Sequence, residues 1–314
     1  MKKLLFVLCM ALLLCSCASN NAKYTVGVVQ LVQHDALDKA TQGFVDELND
    51  QLQDEVYIDV KNASGDPSIC QTMATSFVAD NVDLIMANAT PALIAAQHAT
   101  NVIPVLGTSV TEYGVALEID NFDGLVGYNV SGTSDLAPLD EQAQMILDLF
   151  PDTKTVGILY CNGEPNSKYQ VEVVSKYLQN KGIEVKTFGF GESNEVKMTA
   201  DEACKDADVL YVPTDNTCAA NGENIKNAAI EANVPIITGG KDTLIKTGGL
   251  ATLSIDYYEL GRTTGKMAVK ILKGEAKIEE MPIEYYESPI KMYRQEAAKK
   301  FNIEMPEEFV AIEE

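Results

Sequence analysis

The chain has 314 residues and carries 46 acidic side chains against 24 lysines and arginines, a formal net charge of −22 at pH 7. Removal of a leader that contains Lys2 and Lys3 lowers this charge by two, to −24. A surface of this charge repels nucleic acid and anionic lipid headgroups. We therefore expect neither as a partner. The length is sufficient for two domains of ordinary size.

The first seventeen residues have the order of a bacterial export signal. Lys2 and Lys3 precede an apolar stretch over residues 4–14, which is too short for a permanent membrane span. The ending Leu-Cys-Ser-Cys resembles the lipobox, at which bacterial lipoproteins are cleaved and acylated on a cysteine, here Cys17. An ordinary cleaved signal with incidental cysteines is the alternative.

Short β-rich apolar runs then alternate with amphipathic stretches. Most runs are nearly continuous in Val, Ile and Leu, as in strands that are covered on both faces. We predict ten strands, at 24–31, 56–63, 82–88, 102–107, 125–130, 155–161, 183–190, 207–213, 234–238 and 250–255. Helical spacing of apolar residues marks 36–52, 142–150, 167–180 and 258–273. This alternation predicts an α/β protein with parallel sheets.

Three motifs of the first half recur in the second half, in the same order. The segments 26–29, 83–86 and 101–105 are matched by 156–159, 208–211 and 233–237, at offsets of 130, 125 and 132 residues. Three matches in register indicate two similarly wound lobes. Ligands of open α/β sheets bind at the carboxyl ends of the strands, so two facing lobes would form a cleft.

The predicted strand ends of the first half carry polar side chains. They are Gln30, His34, Thr90, Thr108 and Ser109. Thr90 is followed by proline, a good helix start, and a helix N-terminus can hold a carboxylate. The alternative is that Thr90 only caps its own helix.

The strand ends of the second half carry carboxylates and amides. They are Glu164, Asn166, Asp215, Asn216 and, where the chain would return to the first lobe, Asp256. Asp215 is either a helix cap or the partner of a ligand ammonium, a charge-assisted bond worth about 1.5–3 kcal/mol. Glu164 is a second candidate or a solvated loop residue, and Asp256 is a hinge residue or a ligand contact.

Motifs for catalysis are missing. The chain has two histidines, His34 and His98, and no Gly-x-Ser-x-Gly turn or complete phosphate loop. No group of His and Cys has zinc spacing. Four cysteines of the body allow three full disulfide pairings, and the sequence does not choose among them: Cys70, Cys161, Cys204 and Cys218. We expect no enzyme activity, no cofactor and no metal site.

Segments in both halves carry a family resemblance that covers roughly residues 24–275. The chain resembles the ABC-transporter substrate-binding lipoproteins of the tryptophan/tyrosine type, a branch of the type I periplasmic-binding fold. The most specific segments are Val-Pro-Thr-Asp-Asn-Thr at 212–217 and Gly-Lys-Met at 265–267. Further matching segments are 28–30 with His34, 62–66, 89–92, 166–167, 248–251 and 255–256.

The resemblance implies two doubly wound parallel-sheet lobes joined by a three-stranded hinge. After a signal at 1–17 and a linker at 18–23, we expect lobe 1 at 24–130 plus about 256–282, and lobe 2 at 131–255 plus about 283–314. The resemblance further implies a ligand held between the lobes by hinge closure. The protein would be a lipid-anchored extracytoplasmic monomer that delivers this small molecule to the permease and ATPase subunits of an ABC importer.

The family also implies an amino acid ligand, with aromatic amino acids (Trp, Tyr or Phe) as the first choice. Its carboxylate would lie on Thr90 and Ser109 and its ammonium on Asp215. Further contact candidates are Gln30, Asn166 and Asp256, then His34, Thr108, Glu164, Asn216 and Tyr160, with Tyr113, Tyr128 and Tyr169 as other candidates around the side chain. A nucleoside- or purine-binding lipoprotein is the nearest alternative, and an extracellular hydrolase or a sensor domain is an alternative of another class.

Overall fold

The structure is a computed structural model that describes residues 22–312. The predicted export signal, most of the linker, the Cys17 anchor and the last two residues of the predicted second lobe lie outside this range. Among the helices within 22–312, none is both long and apolar enough to span a bilayer.

The first half of the chain alternates strands with helices and begins one sheet. Strands β3 and β4 are buried along their whole length, because helices cover both faces of the sheet. The elements are β1 (Tyr24–Gln30), α1 (Asp35–Leu52), β2 (Val56–Asn62), α2 (Pro67–Ala79), β3 (Leu84–Asn88), α3 (Thr90–Ala99), β4 (Val105–Val110), α4 (Tyr113–Ala116) and β5 (Val130–Ser134).

The second half repeats this winding and then returns to the first lobe. Its elements are α5 (Leu139–Leu149), β6 (Thr155–Cys161), α6 (Pro165–Asn180), β7 (Glu184–Phe190), α7 (Val196–Asp206), β8 (Val209–Val212), α8 (Asn216–Ala220), α9 (Gly222–Ala232), β9 (Ile236–Thr238), α10 (Lys241–Thr247) and β10 (Ala251–Ser254). The chain closes with α11 (Tyr257–Leu272), β11 (Glu284–Tyr285), β12 (Ile290–Tyr293), α12 (Gln295–Phe301) and β13 (Val310–Ala311).

Two separate sheets result, one for each lobe. The first has the order β11-β5-β4-β3-β1-β2 and is parallel throughout. The second has the order β13-β12-β10-β9-β8-β6-β7, and β12 runs antiparallel to β10. In both sheets the order reverses beside the first strand of the lobe, which is the doubly wound pattern. The predicted fold class is confirmed.

The chain crosses between the sheets three times. The crossings follow β5, follow β10 and separate β11 from β12, so the predicted three-stranded hinge is confirmed. The second crossing brings α11 back onto α1 of the first lobe. Gly43 and Gly261 let these helices touch, since a Cβ atom on Gly261 would overlap the carbonyl oxygen of Ala40.

One predicted strand is misplaced, and with it both lobe boundaries. The strand predicted at 125–130 lies at Val130–Ser134, so the first sheet extends past residue 130 and takes in β11, beyond residue 282. Gly124 and Gly127, with φ of 98° and 80°, bend the chain through the predicted segment. The true strand is rich in small polar residues, which are buried because they bond internally. Ser131 donates to the Met281 carbonyl at 2.9 Å, for example.

Candidate ligand site between the lobes

The carboxyl ends of the two sheets face each other across the boundary between the lobes. Helix α1 of the first lobe contacts α10 of the second, and α4 contacts α6. The two lobes are therefore in contact, and the strand-end loops that were expected to line a cleft lie on facing sides of their boundary.

His34 makes the closest polar link between the lobes. Its Nδ1 lies 3.1 Å from Asp242 Oδ2 and its Nε2 lies 3.3 Å from Asn216 Oδ1, and both partners belong to the second lobe. The side chains of His34 and Asp242 are about 5% and 7% exposed, so the pair is shielded from water. We conclude that this pair joins the lobes in the closed arrangement.

Two neighbouring strand ends of the first lobe have unusual backbone conformations. Ala89, which follows β3, has a φ of 91°, and Ser109, near the end of β4, has a φ of 54°. Non-glycine residues adopt such angles at a cost of about 1–3 kcal/mol, and functional sites are where this cost is usually found. The pairing register of β4 with β5 also shifts between Gly107 and Val110.

The hydroxyls at these strand ends have no partner. Thr90 Oγ1 and Ser109 Oγ are buried and make no hydrogen bond with any described residue. Thr90 also opens α3, a ten-residue helix whose first backbone N–H groups have no intrahelical acceptor. Buried hydroxyls are normally hydrogen-bonded, so this edge is suited to an anionic or carbonyl group of a ligand.

Asp215 is held entirely by its own lobe. Its Oδ2 accepts hydrogen bonds from Cys161 N and Ser167 Oγ, each at 2.7 Å, and its Oδ1 accepts from Cys218 N at 2.8 Å. It is the N-cap of α8, as the helix-cap alternative anticipated. Burial, reinforced by the Glu164 carboxylate, raises the pKa of Asp215 to about 7.

Glu164 is a second carboxylate at the start of α8. It accepts hydrogen bonds from the backbone and side chain of Thr217 at 2.9 and 2.8 Å, and from those of Asn216 at 3.0 and 2.7 Å. Asn166 donates to the same carboxylate at 3.2 Å, whereas its own buried Oδ1 has no partner among the described residues. Glu164 is therefore a buried structural acceptor, not a solvated loop residue, and Asn166 keeps one acceptor free.

A small cavity of about 20 Å³ lies between the lobes. It is lined by three carboxylates, Asp135, Asp215 and Asp242, together with His34 and Tyr257. The remaining lining residues are Ala36, Leu37, Thr214, Asn216, Ala219, Gly240 and Thr243. A cavity needs about 10–15 Å³ to hold one water, so this space fits one small polar group.

A wider cleft of about 570 Å³ opens beside the cavity. Leu31, Val32 and Pro91 line it from the first lobe, and Cys161 and Gly163 line it from the second. Pro91 is the second residue of α3, so this cleft reaches the start of that helix. The rest of its lining is largely polar and includes Asp66, Glu164 and Glu192, so only the part at Leu31, Val32 and Pro91 is suited to a nonpolar side chain of a ligand.

Several predicted contact residues are occupied elsewhere. Gln30 donates to Val32 O and Asp38 and accepts from Thr41, and Thr108 Oγ1 lies 3.3 Å from Thr133 Oγ1 within the first lobe. Asp256 is an exposed N-cap of α11.

The tyrosines predicted around a ligand side chain are also used elsewhere. Tyr160 and Tyr169 pack against the core of the second lobe. Tyr113 is buried with its hydroxyl on the Thr133 carbonyl at 3.0 Å, and Tyr128 is 36% exposed. None of these side chains lines the cavity or the wider cleft.

The sequence reasoning missed three residues of the cavity: Asp135, Asp242 and Tyr257. Asp135 follows β5. That strand was predicted four to five residues too early, so Asp135 did not fall at a predicted strand end. Asp242 follows the Gly239–Gly240 turn at the end of β9, where only a phosphate loop was considered.

The thiols of the body do not contribute to a metal site or a disulfide. All four body cysteines are free and buried in the structure. Within residues 22–312, no group of three or more His, Cys, Asp and Glu side chains is arranged to hold a metal ion.

Two doubly wound lobes with three crossings and a closed polar site between them define a substrate-binding protein of the type I periplasmic-binding fold. Residues 25–313 match the family model described as ABC transporter substrate binding protein. The chain belongs to this family of ABC-transport substrate-binding proteins.

Relatives of known name agree with this assignment. A tyrosine-binding protein of Clostridioides difficile is 36% identical over 272 residues, which cover 82% of this chain and 77% of that protein. An ABC domain of Streptococcus pneumoniae, solved in complex with L-Trp, is 34% identical, with a TM-score of 0.86 over 91% of this chain and 97% of that one.

A third relative differs in its conformation. A substrate-binding protein with adhesive properties from Clostridium difficile, solved in a ligand-free, open form, is 35% identical and covers 92% of this chain and 99% of its own. Its TM-score is only 0.70, although its identity to this chain is one percentage point higher than that of the L-Trp complex. Because sequence similarity does not account for the difference, the arrangement of the lobes here is closer to that of the ligand-bound relative.

Proposed function

We propose that this protein is a lipid-anchored, monomeric extracytoplasmic receptor that binds an aromatic amino acid between its lobes and delivers it to an ABC permease. The observation that carries the proposal is a set of buried groups, at strand ends and helix starts of both lobes, that have no hydrogen-bond partner among the described residues. Thr90 and Ser109 offer two free hydroxyls, and Asn166 offers a free amide oxygen from the opposite side.

The electrostatics of the site favour a zwitterion over an anion. The cavity is lined by three carboxylates and one histidine, and no lysine or arginine is among its lining residues. An anionic ligand such as a phosphate ester would meet uncompensated repulsion there. An amino acid brings an ammonium for the carboxylates and a carboxylate for the Thr90 and Ser109 edge.

Similarity to the tyrosine-binding and L-Trp-bound relatives supports an aromatic side chain. The cleft lined by Leu31, Val32 and Pro91 reaches the start of α3 and is the proposed place for that side chain. Asp256, Gln30 and Thr108 are not part of this proposal, because their side chains serve the fold.

Calorimetry on residues 18–314, refolded to remove carried-over ligand, tests the proposal. We expect micromolar or tighter binding of L-Trp, L-Tyr or L-Phe, and a loss of about 100-fold in affinity for the Thr90→Val, Ser109→Ala double variant, which leaves a ligand carboxylate unpaired. Thr75→Val, at an exposed position on α2, is the matched control. Heat from nucleosides alone would support the alternative family.

The lipid anchor is a separate part of the proposal and rests on the sequence ending at Cys17. Metabolic labelling with a radioactive fatty acid in a bacterial host should label the wild type and the Cys15→Ala variant but not the Cys17→Ala variant. Labelling that survives Cys17→Ala, or that disappears with Cys15→Ala, would contradict it.

A further inference from the structure

The cavity of about 20 Å³ between the lobes has an unbalanced charge. Asp135, Asp215 and Asp242 all line it, and His34 is the only basic side chain among its lining residues. Carboxylates removed from water need a cation or several hydrogen-bond donors. The volume fits one group of the size of a water molecule, which is also the size of an ammonium group.

The three carboxylates differ in how far their oxygens are already satisfied. Asp215 accepts three hydrogen bonds from its own lobe. Asp242 makes no hydrogen bond with a described residue, but its Oδ2 lies 3.1 Å from His34 Nδ1 and 3.5 Å from Lys246 Nζ. These two carboxylates therefore have partners without a ligand.

Asp135 is the carboxylate with a free oxygen and no cation of its own. Its Oδ2 accepts a hydrogen bond from the Tyr257 hydroxyl at 2.8 Å, which fixes the orientation of the carboxylate. Its Oδ1 is buried and has no hydrogen-bond partner among the described residues. Asp135 is only 5% exposed, so water does not compensate this oxygen. Burial accordingly raises its pKa, although the hydrogen bond from Tyr257 acts in the opposite direction.

The position of Asp135 relative to the other polar groups matches an amino acid. Thr90, Ser109 and Asp135 lie at the ends of β3, β4 and β5, which are consecutive neighbours in the first sheet. Neighbouring strands are about 4.8 Å apart. The ammonium and carboxylate of an α-amino acid are attached to the same carbon atom, so one ligand can reach donors on β3 and β4 and an acceptor on β5.

We infer that Asp135, not Asp215, is the anchor for the ammonium group of the ligand. The inference rests on the proposed function, because it assigns a role within an amino acid site. Asp215 then acts as the cap that fixes the α8 loop of the second lobe, and Tyr257 is a positioning residue for Asp135. Asp135 lies on the first crossing between the lobes and Tyr257 on the second, so the proposed anchor is located at the hinge.

The test compares an amino acid with its analogue that lacks the amino group. Calorimetry with L-tyrosine and with 3-(4-hydroxyphenyl)propionate is run on the wild type, Asp135→Asn and Asp215→Asn. We expect Asp135→Asn to weaken L-tyrosine binding about 100-fold and to leave the affinity for the analogue unchanged or higher, because a buried charge pair is lost only with the amino acid. Asp215→Asn should weaken both ligands by a similar factor.

The outcomes separate the inference from the proposed function. A wild type that binds no amino acid overturns both. Two results overturn the anchor alone when the wild type binds L-tyrosine. In the first, Asp135→Asn still prefers L-tyrosine over the analogue. In the second, this preference is lost only in Asp215→Asn. If Asp135→Asn does not fold, a crystal structure of the wild type with L-tyrosine decides. An ammonium within hydrogen-bond distance of Asp135 Oδ1 supports the inference, and an ammonium bonded instead to Asp215 or Asp242 overturns it.

Discussion

His34 Nδ1 lies 3.1 Å from Asp242 Oδ2, across the boundary between the two lobes. The opposite ring nitrogen faces Asn216 Oδ1, whose orientation follows from the bond that Asn216 Nδ2 donates to Glu164 at 2.7 Å. Both ring nitrogens therefore face oxygen atoms of the second lobe. The imidazole lies beside the buried Asp242 carboxylate, so this contact holds the lobes together.

His34→Ala should therefore weaken ligand binding by favouring the open form. Truncating His34 removes its contact with the buried Asp242 carboxylate and leaves that group less satisfied, at a cost of about 2 kcal/mol, which corresponds to roughly 30-fold in affinity. Calorimetry with L-tyrosine measures the affinity, and small-angle X-ray scattering with saturating ligand measures closure. His98→Ala, at an exposed position on α3, is the matched control. Equal affinities for both variants would show that the pair does not contribute to closure.

Most strands of this fold could be predicted because parallel strands that are covered by helices consist of nearly continuous apolar residues. β6 was predicted with its observed bounds, and β1 and β2 to within one residue. β5 could not be found this way, because its buried residues are Ser, Gly and Thr, which bond to α11 and the loop before β11. The burial of a polar strand depends on partners that are distant in sequence.

The candidate site was predictable where a residue follows an apolar strand. Thr90, Ser109 and Asn166 were named from that rule, and each has a buried polar atom without a partner. Asp135 follows the misplaced strand and was missed. The sequence also could not show that Asp215 and Glu164 are already satisfied, since their donors come from the starts of α6 and α8, about fifty residues apart.

The stability of the ligand-free protein should depend on pH through Asp215. The pKa of Asp215 is raised to about 7 in the folded protein, against about 3.9 in an unfolded chain. Between about pH 4 and pH 7 the folded state binds a proton that the unfolded state does not. The stabilisation that comes from this proton is therefore complete below about pH 4 and is lost as the pH rises through 7. The slope is at most about 1.4 kcal/mol per pH unit.

Urea unfolding at pH 5, 6, 7 and 8 measures this contribution. Asp215→Asn has no titrating group at this position, so its stability should decline less steeply between pH 5 and 7 than that of the wild type. Asp66→Asn is a matched control, because Asp66 is also a helix cap but its exposed carboxylate has a lowered pKa from its bonds with Ser68. Parallel curves for Asp215→Asn and the wild type would exclude Asp215 as the titrating group.

The buried Tyr211 hydroxyl supports the second lobe beneath the site. It donates to Gln142 Oε1 at 2.6 Å, and Gln142 Nε2 donates in turn to the Leu253 carbonyl at 3.0 Å. Tyr211→Phe leaves Gln142 Oε1 buried without a donor, which should cost about 1–3 kcal/mol in the free energy of unfolding. Tyr57→Phe, 46% exposed on β2, should change it by less than about 0.5 kcal/mol. A similar loss in both variants would be evidence against the network.

Gly261 should be one of the sensitive glycines for the stability of the first lobe. A Cβ atom there would overlap the backbone carbonyl of Ala40 on α1, and a backbone atom cannot move aside by a side-chain rotation. Gly261→Ala should therefore separate α11 from α1 and cost about 3 kcal/mol, the upper part of the range for overpacking. Gly163→Ala is the control, because its nearest neighbour would be Cys161 Sγ at 3.7 Å, an ordinary contact. Urea unfolding of the two variants measures the difference, and equal stabilities would mean that the helices have room to separate without loss of packing.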